Sequence, residues 1–437
     1  MISPRSGIFS RSLLTTDAFV SLFLHPDQGD DSMAEQEVAS TVERPRPKTF
    51  AAPRPAAAEA VGVDKPAALR VPVSAMPADY SISLSQSVRG GTDNLLLNPP
   101  KQRRHPMRGF EDQYSDIIDY IVRITHRIWE EKDIGYIYDT YRHNCRVTDD
   151  AGLQYGRDKI VADTVHTVSA FPDARLYADE IVWAGNEDTG FFTSHRTVIT
   201  GTNTGFSRWG PPTNKKVTVW CIANCLAQDN EIFEEWVIYN QSSMLRQLGL
   251  DLVEQARAFG DARIREGAPK VFASEPTRLA GQGKPLHLPA PSNASGLDVE
   301  DEIRRAHHYA WNWRNMAALD RIYDDRLVFH GPTDRELRGL GAYKTFILSL
   351  IAMFPDLAAS VDEIYWMGNE ADGYLTSVRW SAVGTHRGFG PYGQPTGRQV
   401  RIWGITQHRI QGGKIREEWM MFNEFDLLQQ ILASEPI

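Results

Sequence analysis

Phe171-Pro172-Asp173, Asp179-Glu180-Ile181, Trp183, Gly185-Asn186-Glu187, Gly201-Thr202, Gly205-Phe206, Trp220, Glu234-Glu235-Trp236 and Asn240 form a stretch that the chain contains twice. Its second copy runs Phe354-Pro355-Asp356, Asp362-Glu363-Ile364, Trp366, Gly368-Asn369-Glu370, Gly384-Thr385, Gly388-Phe389, Trp403, Glu417-Glu418-Trp419 and Asn423, at a constant spacing of 183 residues. Upstream, one residue slips between Val147 and Leu153, and His126, Trp129 and Tyr141 then match His308, Trp311 and Tyr323. A repeat of this length is a whole domain and not a solenoid unit, so the chain is a tandem duplication.

Within each copy the hydrophobic period changes from helical to alternating. Ile117, Ile118, Ile121, Ile124 and Ile128 predict an opening amphipathic helix, matched by Ile303, Ala306, Ala310 and Trp313. A shorter helix over Ile134 to Tyr141 and a third from Lys159 to Ser169 follow, the last stopped by Phe171-Pro172, because a residue before proline disfavours the helical region. Four strands then read as 174–183, 190–200, 217–226 and 232–239, closed by a short helix from Ser242 to Leu248. Each copy is α+β, a curved antiparallel sheet with about three helices against one face.

The sequence of 437 residues, 42% apolar and 24% charged, has room for two such cores plus tails. A net charge of −9 gives no electrostatic reason for nucleic acid or an anionic membrane as partner, and no apolar run is long enough to span a bilayer. Cys145, Cys221 and Cys225 all lie in the first copy, which is no disulfide framework and points to a reducing, cytoplasmic setting. The Ala/Pro/Ser-rich stretch 1–105 reads as a disordered extension, with a basic cluster Lys101 to His105 at its solvated edge and Met33 as an internal start. Domains are expected at 106–266 and 298–437, joined by a proline-rich linker at 267–297.

In the second copy, Gly384-Thr385-His386-Arg387-Gly388-Phe389, Gln394-Pro395-Thr396-Gly397-Arg398, Glu417-Glu418-Trp419 and Leu427-Leu428-Gln429-Gln430 together resemble the SnoaL-like polyketide cyclase family; the first copy carries weaker versions. The resemblance implies the nuclear transport factor 2-like fold, a cone-shaped sheet whose concave face and covering helices enclose an apolar pocket. It implies pairing of the two copies within one chain as a pseudo-dimer, and leaves further homo-oligomerisation open. The acid and histidine that serve the family's cyclases fall on Val237 and Met420, and on Ala223 and Thr406, so both roles are empty in both copies.

Strand parity supplies other candidates. A three-residue turn at Asn230 and Gly413 puts Cys221, Ala223, Glu235, Val237 and Tyr239 on the pocket face, and Trp220, Ile222, Glu234 and Trp236 on the other. Glu235 and Glu418 are the candidate general bases, with pairing to Arg196 and Arg379 as the structural alternative. His330 and Arg379 are further catalytic candidates; Arg196, His195, His386, Tyr239 and Thr406 are candidate ligand contacts. The four tryptophans suit an interface between the copies, and no metal or cofactor is called for. These residues point to a cofactor-independent enzyme acting on a small carbonyl-containing or polyketide-like molecule by proton abstraction, isomerisation, cyclisation or hydrolysis. The alternative is a non-catalytic binding or assembly module.

Overall fold

The structure, a computed structural model, describes residues 91–150, 152–267, 287–290 and 296–436. The first copy contains α1 (Gly91–Leu97), α2 (Ile117–Trp129), a 3-10 turn leading into α3 (Ile137–Thr140), β1 (Tyr141–Thr148), β2 (Leu153–Tyr155), α4 (Arg157–Ala170), β3 (Arg175–Asn186), β4 (Gly190–Thr202), β5 (Lys216–Gln228), β6 (Glu231–Tyr239), α5 (Gln241–Leu248) and α6 (Leu252–Arg265). The second contains α7 (Val299–His307), a π turn at His308–Asn312, a 3-10 turn at Met316–Arg321, β7 (Tyr323–Gly331), β8 (Arg335–Arg338), α8 (Leu340–Met353), β9 (Ala358–Asn369), β10 (Gly373–Thr385), β11 (Gln399–Gln411), β12 (Lys414–Phe422) and α9 (Glu424–Leu432).

Each copy is α+β with one six-stranded sheet, ordered β2-β1-β6-β5-β4-β3 and β8-β7-β12-β11-β10-β9. The sheets are mixed and not purely antiparallel, because β1 runs parallel to β6 and β7 parallel to β12. Sequence reading assigned Tyr141 to the end of a helix. There the chain instead begins a strand whose inward residues, Cys145 and Val147, are buried between polar neighbours that hide the alternation.

The repeated motifs hold the sheet to the helices. Asp173 accepts from the Thr202 backbone N–H at 2.6 Å and from its hydroxyl at 2.7 Å, and Asp356 holds Thr385 at the same two distances. Each pair ties the turn after α4 or α8 to the end of the long strand. Gly205 and Gly388 follow because a Cβ there would lie 2.0 Å from the Ser169 carbonyl oxygen and 1.8 Å from that of Ala352. The β5–β6 and β11–β12 turns carry two left-handed residues each, Asp229-Asn230 and Gly412-Gly413, and the ladder slips by one beyond each turn. A two-residue turn plus a bulge gives the same facing as the expected three-residue turn.

The outer faces of the two sheets pack together. Ile222 and Ile238 of the first copy meet Trp403, Ile405 and Met421 of the second, and Trp236 meets Trp403 edge-on at 5.4 Å. Arg196 lies 3.6 Å over the ring of Trp419, and its counterpart Arg379 lies 4.1 Å over Trp236, so each copy lends its arginine to the other's tryptophan. Gln407 accepts from Arg196 and donates to the Ser194 backbone and hydroxyl oxygens, and Arg409 reaches Glu180 at 2.7 Å. Helix α6 crosses onto α9, where Gly260 allows the approach: a Cβ there would sit 2.7 Å from that of Ala433.

Order begins earlier than the sequence suggested. Residues 91–105, read as part of a disordered extension, include α1, whose Thr92 hydroxyl accepts from the Ala178 backbone N–H. The basic cluster is a solvated edge only in part: Lys101, Gln102 and Arg103 are exposed, whereas Arg104 pairs with Asp116 at 3.1 Å and His105 stacks on Trp183. The expected linker at 267–297 falls mostly outside the described residues, as does the segment before Gly91, including Met33. Among the described residues no helix is long and apolar enough to cross a membrane.

The Arg409–Glu180 contact joins the copies through a carboxylate that is 1% exposed. Truncating one partner of such a pair leaves an uncompensated buried charge. Arg409→Ala should lower unfolding free energy by about 3 kcal/mol in urea titrations at pH 7; a loss below about 1 kcal/mol would reduce the contact to the value of a surface bridge.

Candidate functional site

Both glutamates singled out by parity face inward. On β11 and β12, Thr406 stands opposite Met420 and His408 opposite Glu418; on β5 and β6 the same two levels hold Ala223 opposite Val237 and Cys225 opposite Glu235. Side chains two residues apart on a strand share a face, so each inner surface carries two successive cross-strand pairs.

In the second copy these pairs line a small cavity with Ile303, Ala306, His307, Trp311, Tyr323, Tyr343, Val378 and Trp380 among its other walls. The free space is about 20 Å³, room for roughly one water. Glu418 is fully buried, accepts from the Tyr343 hydroxyl at 2.8 Å through Oε1, and turns Oε2 toward His408 Nε2 at 3.5 Å. Oε2 has no hydrogen-bond partner among the described residues. His408 is held on its other side by Thr376, with Nδ1 and Oγ1 2.7 Å apart. Tyr323 stacks on Tyr343 at 5.3 Å, and Trp311 on Trp380 at 6.2 Å. His307 enters from α7 just before the π turn; burial first, then the neighbouring His308, His408 and Arg304, push its pKa down to about 3, which keeps it neutral. π turns interrupt helices most often where a site needs the room.

In the first copy Glu235 accepts from the Tyr141 hydroxyl at 2.9 Å. Burial raises its pKa to about 7, and the Tyr141 hydrogen bond offsets part of that rise. His195 stands opposite Ala223, with its pKa lowered by burial to about 4 and its Nδ1 unpartnered among the described residues. Tyr239 stands opposite Cys221, on the face of Glu235. The three cysteines are buried free thiols; burial pushes Cys221 up to about 12 and Cys145 to about 11.

The structure thus gathers Glu418 and Thr406 in one inner surface, and Glu235, His195 and Tyr239 in the other. Four candidates lie elsewhere. Arg196 stands opposite Ile222, so it points to the outer face, and both Arg196 and Arg379 are spent on the contact between copies. His330 is also on the outer side, stacked on Trp419 at 5.2 Å between Glu336 and Glu417; burial opposes its charge, but the two carboxylates outweigh burial and raise its pKa. His386 is buried in the β10–β11 loop beside Phe354, with Thr396 at 3.2 Å, where it shapes the turn. His408, Tyr343 and His307 are the residues that sequence reasoning missed. The first was readable: it shares a face with Thr406 and lies opposite Glu418 once the turn is fixed.

A model of the SnoaL-like polyketide cyclases matches the chain twice, over residues 120–248 and 301–431, together more than half its length. The chain belongs to the SnoaL-like polyketide cyclase family. Solved structures similar to one copy include a candidate polyketide cyclase from Acidithiobacillus ferrooxidans, at 20% identity and TM-score 0.27, covering 32% of this chain and 96% of that one. IdmH, a candidate polyketide cyclase from Streptomyces antibioticus, has 24% identity and TM-score 0.27, covering 31% and 98%. AclR, a candidate hydroxylase from Streptomyces galilaeus, has 23% identity and TM-score 0.26, covering 30% and 84%. No curated protein matches the chain. In this SnoaL-like protein the positions implied for the family's histidine and acid, Thr406 and Met420, are vacant, yet the next cross-strand pair on the same face is His408 and Glu418.

Glu235 gives a signed pH effect. Its folded pKa of about 7 lies above the 4.5 of a free carboxyl, so its contribution to stability is full below about pH 4.5 and is lost as pH rises through 7. Glu235→Gln keeps an acceptor for Tyr141 and removes the titration. Urea unfolding should show the variant gaining up to about 3 kcal/mol on wild type between pH 4.5 and 8. A constant difference across that range would mean that Glu235 titrates normally.

Proposed function

We propose that this SnoaL-like protein is a cofactor-independent acid–base enzyme acting on a small carbonyl-containing or polyketide-like molecule, with its chemistry in the second copy. The observation that carries the reading is the buried Glu418–His408 pair at 3.5 Å, with one carboxylate oxygen unpartnered among the described residues and aromatic walls around it. A carboxylate held in an enclosed site can serve as a general base, and an adjacent imidazole can receive or return the proton. Glu418 would remove a proton from the carbon next to the substrate carbonyl, and His408, steadied by Thr376, would pass a proton back to close an isomerisation or a ring. Tyr343 fixes the carboxylate through Oε1 and leaves Oε2 to react.

A second reading, binding without turnover, is favoured by the size of the cavity: about 20 Å³ admits no organic substrate until its walls move. Turnover separates the two. Purified wild type, Glu418→Gln and His408→Gln are incubated with a host-cell metabolite extract, followed by untargeted mass spectrometry and thermal melting. The enzyme reading expects a metabolite consumed by wild type and spared by both variants, with rates down about 100-fold or more and melting temperatures nearly unchanged. Metabolites left unchanged by all three proteins would favour the binding module.

A further inference from the structure

Two of the side chains that line the second cavity carry a buried polar atom with no hydrogen-bond partner among the described residues: Glu418, through Oε2, and His307, through Nε2. An unpaired polar atom in the interior costs stability, so two of them around one void mark a place where a ligand supplies the missing bonds. The void of about 20 Å³ is little wider than one water. A group seated there is within reach of both.

The helix brings His307 to this position. Ile303, Ala306 and His307 lie three and four residues apart on α7 and so share the face turned to the cavity. The imidazole is held between the indoles of Trp311, at 6.0 Å, and Trp380, at 6.1 Å. The π turn begins at the next residue, where His308 turns aside to Asn312, with Nδ1 and Nδ2 3.1 Å apart. Burial first, then His308, His408 and Arg304, keep the His307 ring uncharged. The first copy has no such group. Its matched residue is Thr125, whose hydroxyl is spent on the Ile121 carbonyl oxygen at 2.7 Å.

A carboxylate oxygen only accepts, whereas a neutral imidazole can donate from one nitrogen. The group that suits both offers a hydrogen on one side and an oxygen lone pair on the other, as the carbon next to a carbonyl does with its neighbour. We infer that His307 is a catalytic residue of the second copy, whose Nε2–H binds the carbonyl oxygen of the substrate and holds the negative charge that gathers there. This role rests on Glu418 being the base. As Oε2 takes the proton, the C–H electron pair becomes a carbon–carbon π bond and the carbonyl π pair moves onto oxygen. The enolate oxygen accepts from His307, which keeps its own proton, and return of a proton to carbon through His408 or Glu418 closes the cycle. A fixed donor aimed at this oxygen binds the transition state more tightly than the ground state, because its bond strengthens as the charge develops.

Two measurements on the full chain test this. The first is nitrogen-15 NMR of labelled histidines between pH 5 and 8, with the His307 signals assigned by their loss in His307→Gln. His307 should stay neutral and carry its proton on Nε2; a cation at pH 7, or a proton on Nδ1, overturns the role. The second is exchange of the α-protons of cyclohexanone in D2O, followed by proton NMR. Wild type should exceed the buffer rate and Glu418→Gln should not. His307→Leu should lower kcat by about 100-fold with KM little changed, while His307→Gln, still a donor, should come within about tenfold of wild type. Glu418-dependent exchange that runs at full rate in His307→Leu, or a glutamine variant no faster than the leucine one, overturns the role of His307 alone. Exchange in wild type no faster than in Glu418→Gln overturns the base, and the role of His307 with it. If His307→Leu fails to fold, the NMR result and the glutamine variant still decide.

Discussion

The exchange of arginines across the two sheets is the constraint on which the rest depends. A sheet with one face on helices and the other bare would expose a broad apolar surface. Here each outer face is covered by its sister, and charged groups that enter find partners: Arg196 in Asp179, Gln407 and the ring of Trp419, Glu180 in Arg409, while Arg379 Nε has no hydrogen-bond partner among the described residues. Because strand neighbours alternate, committing Arg196, Ile222 and Trp236 outward commits His195, Ala223 and Glu235 inward. The interior chemistry is a by-product of how the outer faces are paired.

Much of this was legible in the sequence. The repeat gave two domains, proline and aspartate marked the ends of α4 and α8, and parity placed Glu235 and Glu418 inward before any coordinate was known. What escaped did so for physical reasons. β1 has only two buried side chains in a polar run; its antiparallel neighbour β2 is only three residues long, and its other partner β6 is parallel and some 90 residues away. His330 follows Phe329 on β7 and so faces outward by the same parity, but β7, like β1, carries no clear strand signal in the sequence. Arg196 and Arg379, candidates for ligand contact or for pairing within the sheet, point outward because Arg196 stands opposite Ile222 on β5. His408 has Cys225 as its first-copy counterpart, so the repeat does not mark it.

The copies have kept their frame and diverged in their interiors. The aspartate clamps match to a tenth of an ångström, while the inner walls exchange histidine for cysteine, tryptophan for threonine and valine for histidine. Both interiors retain a glutamate against the tyrosine that opens the first strand, Tyr141 beside Glu235 and Tyr323 beside Glu418, and in the second Tyr343 from α8 donates to the carboxylate as well. Only in the second does a histidine stand beside the carboxylate. The same acid therefore stands in two settings, one beside an imidazole and one without it.

The contacts between the copies are not mirror images. Gln407 reaches both Arg196 and Ser194, whereas its counterpart Asn224 is one methylene shorter and engages Ser377. In an assembly of two identical chains, every substitution at the axis arrives twice and must suit itself on both sides. A covalent tether removes that condition: either half can change alone, and docking draws on the high local concentration of a joined partner instead of on expression level. Dilution cannot separate the halves, and mixed pairs cannot form by exchange with other copies. Joining the genes thus converts a symmetric assembly into one in which inequality is heritable.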